Sequence, residues 1–404
     1  MVTNSDLFEK TLKGEIKFHE LDNLVGAKKA TEIRLKVLEN KLKLNLKNVK
    51  SSVLNPEDCY PNIENMIGSA QIPLGIAGPV KVKGEFADGK YYLPLATSEG
   101  ALVASVNRGC NVINKSGGAD VVIIKNEQTR SILFKTSNVR ETKKFSDWIK
   151  NNFYELKKIG EKDEKFISIK GIEVYVVGLN VWLRVKADTN DAMGMNMVTI
   201  ASKKIADHIT QNYDNVTFIS ETGNLCVDKK PSAMNLINSR GKRVVASVNI
   251  PNHVVKDVLK TTPEKLIEMN YRKNLLGSAA SGSLAYNAHF ANIIAAMFIA
   301  TGQDVAHTVN GSLGFATVEK NSNGVNFSVT LPDLHVGTVG GGTGLKTQKE
   351  CLNILGVAGP GNPVGSNSKK LAEIIATAVL AGEISLLGAL CSKDLARVHQ
   401  KLNR

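Results

Sequence analysis

The feature that most constrains the fold is an apolar segment at residues 283–309. Its middle, residues 293–300, is apolar on every side and rich in alanine, which favours an α-helix. A helix that is apolar all round is normally buried in the centre of a large domain. The unbroken apolar run falls well short of the ~20 residues that a membrane span requires. We therefore predict a central buried helix with a large domain wound around it.

Asp304 follows this run in the sequence Thr-Gly-Gln-Asp, near the end of the predicted helix. A carboxylate beside a core element must be paired or must have a shifted pKa, and either state marks a functional candidate. The alternative is that Gly302 ends the helix and that Asp304 is simply solvated. This segment alone leaves both interpretations open.

The charge of the chain is basic, because 51 Lys and Arg residues face 38 Asp and Glu residues. The lysines are spread along the chain without a nucleic-acid reader motif, so a solvated surface is favoured over nucleic-acid binding. Binding of anionic small molecules stays open.

The five cysteines are far apart and form no C-x-x-C pair, which indicates neither a disulfide framework nor a metal site. This cysteine usage fits a reducing cytoplasm. The N-terminal residues lack the apolar region of a signal peptide. We therefore expect a cytoplasmic protein without a metal, nucleic-acid or membrane partner.

The texture of the chain predicts an α+β protein with three regions. Residues 1–50 have helical spacing and predict a small helical N-terminal domain. Residues 119–220 predict the order β-α-β-β-α-β of a ferredoxin-like domain, inserted into a large domain that is formed by residues 51–118 and 221–404. The apolar strand-and-turn segment 64–82 would suit a subunit contact.

Glu99 and Arg108 belong to one predicted helix. Thr97 and Ser98 can cap a helix that starts near Glu99, and an acid in the first turn favours the helix dipole. Structure alone therefore explains Glu99. Arg108 follows two to three turns later and could contact a phosphate.

Two glycine-containing motifs could bind anions. The sequence DAMGMNM, residues 191–197, begins the second helix of the insert, and a helix N-terminus is an anion site. Methionine as core filler is the alternative. Gly340 to Gly342 would let backbone N–H groups close around a phosphate or a flat ring, although a plain turn is as good an interpretation. Neither a Walker A loop nor a G-x-G-x-x-G fingerprint is present, which argues against a Rossmann domain.

Asp228, Lys229 and Lys230 precede a proline and therefore lie on an extended or turning segment. The usual interpretation is a solvated turn. If the segment is buried, one ammonium becomes an electrophile for a carbonyl oxygen. His399 near the end of the chain is most often just solvated, but its near-neutral pKa also suits a proton donor on a mobile lid.

These motifs, in collinear order over residues 50–404, closely resemble the 3-hydroxy-3-methylglutaryl-coenzyme A (HMG-CoA) reductase family, class I, in its archaeal form without a membrane anchor. The resemblance implies NADPH-dependent reduction of HMG-CoA to mevalonate and free CoA by two hydride transfers, through mevaldyl-CoA and mevaldehyde. It also implies a fold with a helical N-domain, a large domain around the central helix and an inserted cofactor domain. The active site is expected at a dimer interface, with dimers often pairing into tetramers.

The family's catalytic group matches Glu99, Lys229, Asp304 and His399. By the resemblance, Lys229 stabilises the oxyanion and a buried Glu99 is the general acid. Asp304 holds both in one network, and His399 protonates the departing CoA thiolate.

The family's binding positions match a further set of residues. The implied substrate contacts are Arg108, Arg130, Thr222, Asp228, Lys230, His289 and Asn292. The implied NADPH contacts are Lys165, Asp191, Met193, Met195, Asn196, Met197, Gly340, Gly341, Gly342 and Thr343. The chain departs from the family at three places, where Thr222 replaces a Ser, Asn111 replaces a second Arg, and Glu164 replaces a Ser beside the 2′-phosphate.

Three other functions are weighed against this one. The first is an NAD(P)-dependent oxidoreductase on an unrelated fold, which the missing dinucleotide fingerprint disfavours. The second is a non-catalytic module that binds CoA or nucleotides, which would consume no NADPH. The third is nucleic-acid binding, which rests only on the basic charge and would show a steep salt dependence.

Overall fold

The computed structural model describes residues 4–392, with ten strands and a larger number of mostly short helices in that range. The strands are β1 Leu74–Lys83, β2 Asp88–Ala96, β3 Ala119–Thr136, β4 Ser168–Val177, β5 Asn180–Asp188, β6 Val216–Ser220, β7 Gly241–Pro251, β8 Ala285–Tyr286, β9 Gly314–Asn321 and β10 Gly324–Leu334. The helices are α1 Asn4–Lys13, α2 Leu21–Val25, α3 Ala27–Leu42, α4 Lys47–Lys50, α5 Pro56–Cys59, α6 Leu102–Lys115, α7 Val139–Asn151, α8 Phe153–Glu161, α9 Met195–Asn212, α10 Ala233–Asn238, α11 Asn252–Asp257, α12 Pro263–Met269, α13 Ser278–Ala280, α14 Phe290–Thr301, α15 Thr308–Gly311, α16 Lys346–Ile354 and α17 Ser366–Ser392. A π-helix, Asn270–Gly277, joins α12 to α13.

The main sheet is mixed and has the strand order β2-β1-β3-β7-β10-β9-β8. Most neighbours are antiparallel, but β1–β3 and β8–β9 are parallel. Along β10, alternate residues such as Val325, Phe327 and Val329 are fully buried, with the period of two of a strand that faces a core. Helices α6, α14 and α17 pack on this sheet and on one another. This mixed architecture confirms the predicted α+β class.

Strand β3 belongs to two sheets. Its first half, Asp120 to Glu127, pairs with β7 of the main sheet, whereas Gln128 to Lys135 pairs with β5. The second sheet has the antiparallel order β4-β5-β3-β6. Residues 119–220 run β3-α7-α8-β4-β5-α9-β6, so the first helix of the predicted order is divided into α7 and α8 at Asn152. Since one strand continues through both sheets, pairing changes at Gln128 rather than at the start of the strand.

The predicted central helix is correct in its middle and wrong at both ends. Helix α14 runs from Phe290 to Thr301 only, with Ile293, Met297 and Phe298 fully buried. It ends because Gly302 adopts a left-handed conformation at φ +69°. Asp304 therefore lies beyond the helix.

Helix α17 is a second and longer core helix. It is the one described helix with the length and hydropathy of a membrane span, but 83% of its most apolar window is buried inside the protein. Its position against β1, β3, β7 and β10 explains that apolar surface without a membrane.

The N-terminal helices α1, α2 and α3 share a small core of their own, with Leu7, Leu21 and Val37 buried. A fully buried Arg34 ties the cluster together, since it pairs with Asp22 and donates hydrogen bonds to the carbonyl of Phe18. The predicted helical character of this region is confirmed.

Candidate active site

A cavity of about 800 Å³ opens where four chain segments meet. Its walls are residues 192–197, 228–229, 302–305 and 339–343, together with Arg130 from β3. Of the predicted cofactor contacts, the cavity is lined by Met193, Met195, Asn196, Met197, Gly340, Gly341, Gly342 and Thr343. The structure therefore brings together two motifs that lie more than a hundred residues apart.

Glycines allow two of these segments to touch. Ala192 and Val339 form a parallel bridge, and a Cβ on Gly337 would collide with the backbone nitrogen of Met193. Gly340 and Gly341 adopt positive φ angles of +77° and +54°, and open space surrounds the position of a Cβ on each. Their backbone can thus be approached closely by a ligand.

Helix α9 begins at the cavity. It starts at Met195 rather than at Asp191 as predicted, because Gly194 precedes it in a left-handed conformation at φ +87°. The free N–H groups of the first turn of an 18-residue helix lie next to the cavity, which is a favourable place for a phosphate.

Asp191 lies beneath this segment, and its carboxylate is occupied by backbone. It is 2% exposed and accepts hydrogen bonds from the N–H groups of Gly361 (2.8 Å), Gly365 (2.6 Å) and Ser368 (2.9 Å). Ser368 lies in the first turn of α17, so Asp191 stabilises the beginning of that helix. The structure assigns Asp191 an anchoring contact and does not place it in the cavity wall.

Lys229 and Asp304 form an ion pair at the cavity, with 2.8 Å between Nζ and Oδ2. Asp304 also accepts a hydrogen bond from the N–H of Ala306 at 3.1 Å, which holds its carboxylate in place. Burial alone would raise the pKa of Asp304, but the hydrogen bond from Lys229 and the nearby His307 outweigh burial and lower it. The carboxylate is therefore anionic and the ammonium is oriented towards a cavity that can hold a ligand.

Asp228, next in the chain, is held by a fully buried arginine. Arg240 Nη1 donates to Asp228 Oδ1 at 2.8 Å. Burial would raise the pKa of Asp228, but Arg240, followed by His307, lowers it. Arg240 also contacts Met195 Sδ at 2.6 Å, so one cation joins the Asp228 segment to the first residue of α9.

Three predicted substrate contacts lie on β3 or on the connection between β6 and α10 that carries Asp228. The buried Nε of Arg130 has no hydrogen-bond partner among residues 4–392, as expected of a cation that waits for an anionic group. Lys230 is exposed and donates to the carbonyl of Asp228 at 3.3 Å, and Thr222 is exposed on the same connection.

Glu99 lies in a second cluster. Asn292 Nδ2 donates to Glu99 Oε1 at 3.1 Å and lies 3.4 Å from Nδ1 of His289. The prediction that a helix starts near Glu99 is wrong. Helix α6 begins at Leu102 because Ala101 adopts a positive φ of +71°, and Glu99 stands exposed on the preceding turn.

His289 is positioned by an acid that the sequence analysis missed. Glu383 of α17 is fully buried and accepts hydrogen bonds from the N–H groups of Ala288 (2.9 Å) and His289 (2.7 Å). Burial raises the pKa of Glu383, and the charges of His289 and Lys273 partly oppose that rise. Lys273 on the π-helix was also missed, although a π-helix often marks a functional segment.

The two clusters lie at opposite ends of α14. Asn292 is in its first turn, and Asp304 follows its last residue. At ~1.5 Å per residue, the nine steps from Asn292 to Thr301 span about 14 Å. Within residues 4–392, no hydrogen bond or ion pair connects Glu99 with Lys229 or Asp304. One chain does not assemble the predicted catalytic group by itself.

Two of the three remaining predicted residues lie elsewhere. Arg108 of α6 donates to the hydroxyl of Ser385 at 3.0 Å and to its carbonyl, so it joins α6 to α17. Lys165 is exposed in the turn before β4, next to Glu164, whose carboxylate lies 3.5 Å from the ammonium of Lys204. His399 lies outside the described residues.

A buried polar network behind Asp228 and Asp304 was also missed. Its members are Asn235, Arg240, His307, Asn310, Asp333 and His335. The sequence feature that could have revealed this network is an acid and a histidine, Asp333 and His335, at the end of β10, whose buried face is otherwise apolar. Such groups are expensive to bury and therefore indicate a function or a specific structural task. No group of three metal-binding side chains in the described part of the chain is arranged to hold a metal ion.

The glycine-walled cavity, the first turn of α9 beside it and the Lys229–Asp304 pair together fit an α+β enzyme that binds an anionic, nucleotide-like ligand. The chain belongs to the hydroxymethylglutaryl-coenzyme A reductase family, whose family model matches residues 30–404. Members of this family reduce HMG-CoA to mevalonate with NADPH, and the relatives found in archaea are of class I. The predicted family and enzyme class are confirmed.

Curated relatives extend over the whole chain. The HMG-CoA reductase of Pyrococcus abyssi is 49% identical over an alignment of 404 positions that covers 99% of each chain. That of Methanocaldococcus jannaschii is 49% identical over 410 residues and all of both chains. A Dictyostelium discoideum reductase is 38% identical, and the match covers 74% of that longer protein.

A solved structure has the same fold. The class II HMG-CoA reductase of Streptococcus pneumoniae, bound to NADPH, superposes with a TM-score of 0.68 at 20% identity and covers 93% of this chain and 100% of its own. At this identity the likeness shows the fold alone.

Proposed function

We propose that this chain reduces HMG-CoA to mevalonate and CoA at sites that each combine residues of two subunits. The observation that carries the proposal is the separation of the two clusters along α14. One chain holds Lys229 and Asp304 at one end of the helix and Glu99, His289 and Asn292 at the other. A two-fold symmetric dimer in which the Lys229 end of each chain faces the Glu99 end of its partner would complete both sites.

NADPH fits the cavity because of its charges and shape. Its phosphates would be held by the first turn of α9 and by the backbone from Gly340 to Thr343, where no side chain obstructs the approach. When bound, it supplies the hydride. Lys165 would contact the 2′-phosphate, and the carboxylate of Glu164 beside it lies 3.5 Å from the ammonium of Lys204.

The substrate would lie between the cavity and the partner's Glu99 cluster. Arg130 and Lys230 would pair with the carboxylate of the 3-hydroxy-3-methylglutaryl group, with Asp228 and Thr222 on its hydroxyl. His289 and Asn292 would lie beside the thioester, and Arg108 would serve the CoA phosphates. The free Nε of Arg130 supports the anion-binding part of this proposal.

The chemistry requires an electrophile and an acid in turn. Lys229, oriented by Asp304, would stabilise the negative oxygen that forms when the carbonyl is reduced. Glu99 would give a proton to that oxygen. Glu99 is exposed within one subunit, so a second subunit must cover it to exclude water. When the hydroxyl of mevaldyl-CoA returns its proton to Glu99, the C–S bond breaks to give mevaldehyde, and His399 would protonate the departing CoA thiolate. A second hydride and the proton of Glu99 then give mevalonate.

An exposed apolar strip supports the subunit contact. Ile63, Ile72, Leu74 and Ile76 are 45% to 54% exposed, more than large apolar side chains of a monomer normally are as a contiguous group. Ile72, Leu74 and Ile76 lie on the segment 64–82 that the sequence predicts as an interface, and Ile63 directly precedes it. We propose that this strip forms part of a dimer, and that dimers can pair further.

We also propose the domain assignment made from the sequence, with residues 1–50 as a helical domain, 51–118 and 221–404 as the substrate domain, and 119–220 as the NADPH-binding insert. The change of pairing at Gln128 of β3 supports an insert that is joined rigidly to its host sheet. A cytoplasmic location is in keeping with five free cysteines and with the burial of α17.

Mixed dimers test the composite site. Glu99→Gln and Lys229→Ala proteins should each be inactive, because each spoils both sites of its own dimer. After co-expression, half of the molecules are mixed, and one of the two sites in each mixed dimer is intact, so roughly a quarter of the parent activity returns. No recovery in mixed dimers that are isolated with two affinity tags would show that Glu99 and Lys229 act within one chain.

A further inference from the structure

The buried network behind the cavity contains a histidine whose outer nitrogen faces the catalytic carboxylate. His307 is fully buried, and its Nε2 lies 3.5 Å from Asp228 Oδ1 and 3.8 Å from Asp304 Oδ2. This Nε2 has no hydrogen-bond partner among residues 4–392. Its other nitrogen, Nδ1, lies 3.2 Å from Oδ1 of Asn310. Asp304 therefore faces either an N–H donor or a ring nitrogen without a proton, depending on which nitrogen of His307 carries the proton.

The location of that proton follows from Asp333. The carboxylate of Asp333 is fully buried and contacts Nδ2 of Asn235 at 2.8 Å, Nδ2 of Asn310 at 2.7 Å and Nε2 of His335 at 2.5 Å. An ionised carboxylate only accepts hydrogen bonds, so the amide nitrogen of Asn310 must face Asp333. The amide oxygen of Asn310 then faces His307, whose Nδ1 must donate. Neutral His307 thus has a bare Nε2.

The second ring of the network is neutral and fixed. His335 stacks on His307 with 4.3 Å between ring centroids. Gln128 donates its amide hydrogen to Nδ1 of His335 at 3.0 Å, so the proton of His335 is on Nε2 and points to Asp333 Oδ1 at 2.5 Å, while Nη1 of Arg240 lies farther from that nitrogen, at 3.4 Å. Burial, followed by Arg240 and His307, holds the pKa of His335 well below its usual range.

The charges around His307 come from four directions. Asp304 precedes His307 in the chain, and Asp228 lies on the connection between β6 and α10. Arg240 directly precedes β7. Asp333 and His335 lie at the end of β10. Burial, followed by Arg240, lowers the pKa of His307, while the two carboxylates Asp228 and Asp304 oppose that change.

We propose that Asp333 and Asn310 fix the tautomer of His307, and that its bare Nε2 makes His307 a positioning residue that leaves Asp304 to Lys229 alone. The same atom, Asp304 Oδ2, accepts from Lys229 and is the Asp304 atom closest to His307 Nε2. A hydrogen on Nε2 would point between Asp228 Oδ1 at 3.5 Å and that oxygen at 3.8 Å, and so would compete with the ammonium for Asp304. This inference rests on the proposed roles of Lys229 and Asp304.

The control of the His307 tautomer by Asp333 and Asn310 should fail in acid. Burial raises the pKa of Asp333 to about 6, so the carboxyl takes up a proton as the pH falls through that value. Protonated Asp333 can donate to Asn310, whose amide is then free to turn its nitrogen towards His307. At lower pH His307 is itself protonated. Both changes place a hydrogen on Nε2, so kcat should fall on the acid side while the KM for HMG-CoA changes less.

Two isosteric variants of His307 separate the tautomers. In His307→Asn the amide nitrogen takes the position of Nδ1 and leaves the space of Nε2 empty. In His307→Gln the amide nitrogen takes the position of Nε2 and is a permanent donor towards Asp304. We expect kcat of H307Q to be roughly tenfold or more below that of H307N, the size of one hydrogen bond to a charged group. His208→Gln, on the surface of α9, is the control and should match the parent.

A direct measurement reads the tautomer of His307 in the parent protein. The chain has seven histidines, so the ring nitrogens can be observed after selective ¹⁵N-histidine labelling, with His307 identified by its loss in H307N. We expect a protonated Nδ1 and a bare Nε2 above pH 7, and a change as the pH falls through about 6.

Three outcomes are decisive. A protonated Nε2 of His307 at neutral pH would overturn the proposed tautomer. Equal kcat values for H307N and H307Q, when both proteins melt like the parent, would overturn the proposed role of His307. If Lys229→Ala keeps full turnover, the proposed active site fails instead, while the tautomer of His307 can still be read from the spectra.

Discussion

Replacing Lys229 by alanine should separate catalysis from stability. In one subunit the side chains of Lys229 and Asp304 are 44% and 34% exposed, and an ion pair so exposed contributes about 0–1 kcal/mol to stability. Lys229 has a positive φ of +56°, which alanine tolerates no worse than lysine does. Removal of a donor to an oxyanion, in contrast, lowers kcat by about 10²–10³, or about 3–4 kcal/mol.

The assay compares both quantities in the same preparation. NADPH oxidation at saturating HMG-CoA should fall at least about a hundredfold in K229A, and the free energy of unfolding by denaturant should stay within about 1 kcal/mol of the parent. Lys320→Ala is a matched control, because Lys320 is exposed and pairs weakly with Glu264 at 3.9 Å. HMG-CoA binding measured by calorimetry should be weakened much less than turnover.

Two results would refute this reasoning. A loss of turnover below about tenfold would mean that Lys229 is not the electrophile, because a dry site amplifies a missing charge. A loss of several kcal/mol in stability would mean that the Lys229–Asp304 pair is a structural contact, and the fall in activity would then reflect unfolding.

Other substitutions test the cavity and the proton donors. Gly302→Ala should cost about 1–3 kcal/mol in thermal melts, because a methyl group would collide with the carbonyl of Gly342, whereas Gly344→Ala, with open space around it, should cost much less. Lys165→Ala should raise the KM for NADPH but not for NADH; equal changes would remove Lys165 from the 2′-phosphate. His399→Gln should slow reduction of HMG-CoA but spare that of mevaldehyde, which has no thiolate to protonate, and a similar loss with both substrates would contradict that role.

Sequence reasoning found the walls of the cavity because their signals are local. Gly194 and Gly340 to Gly342 break the regular pattern. In the structure a Cβ at Gly194 or Gly342 would collide with Thr189 or Gly302, while open space surrounds Gly340 and Gly341. The same reasoning located Asp304 beside a core helix but extended that helix too far. A left-handed Gly302 stops it, and glycine is compatible with both outcomes until the packing of residue 342 is known.

Contacts between distant parts of the chain determine the features that the sequence did not predict. Asp191 has the sequence of a cofactor contact, yet its carboxylate is consumed by the first turn of α17, almost 180 residues later. Glu99 follows two good capping residues, yet Ala101 takes a left-handed conformation and the helix starts later. The His307 network escaped notice because its members become neighbours only when β10 packs beside the Asp304 turn.

Helix α14 determines how the two half-sites depend on each other. It is one continuous helix whose inner side chains are buried, so Asn292 in its first turn and Asp304 beyond its end stay apart within one chain. In the proposed two-fold dimer each copy of α14 would therefore serve two active sites, holding Glu99 in one through Asn292 and Lys229 in the other through Asp304. A small change in the dimer interface would alter the distance between acid and electrophile in both sites at once, because neither can be adjusted within its own subunit. Catalysis in this chain is thus expected to depend on subunit association more steeply than folding does.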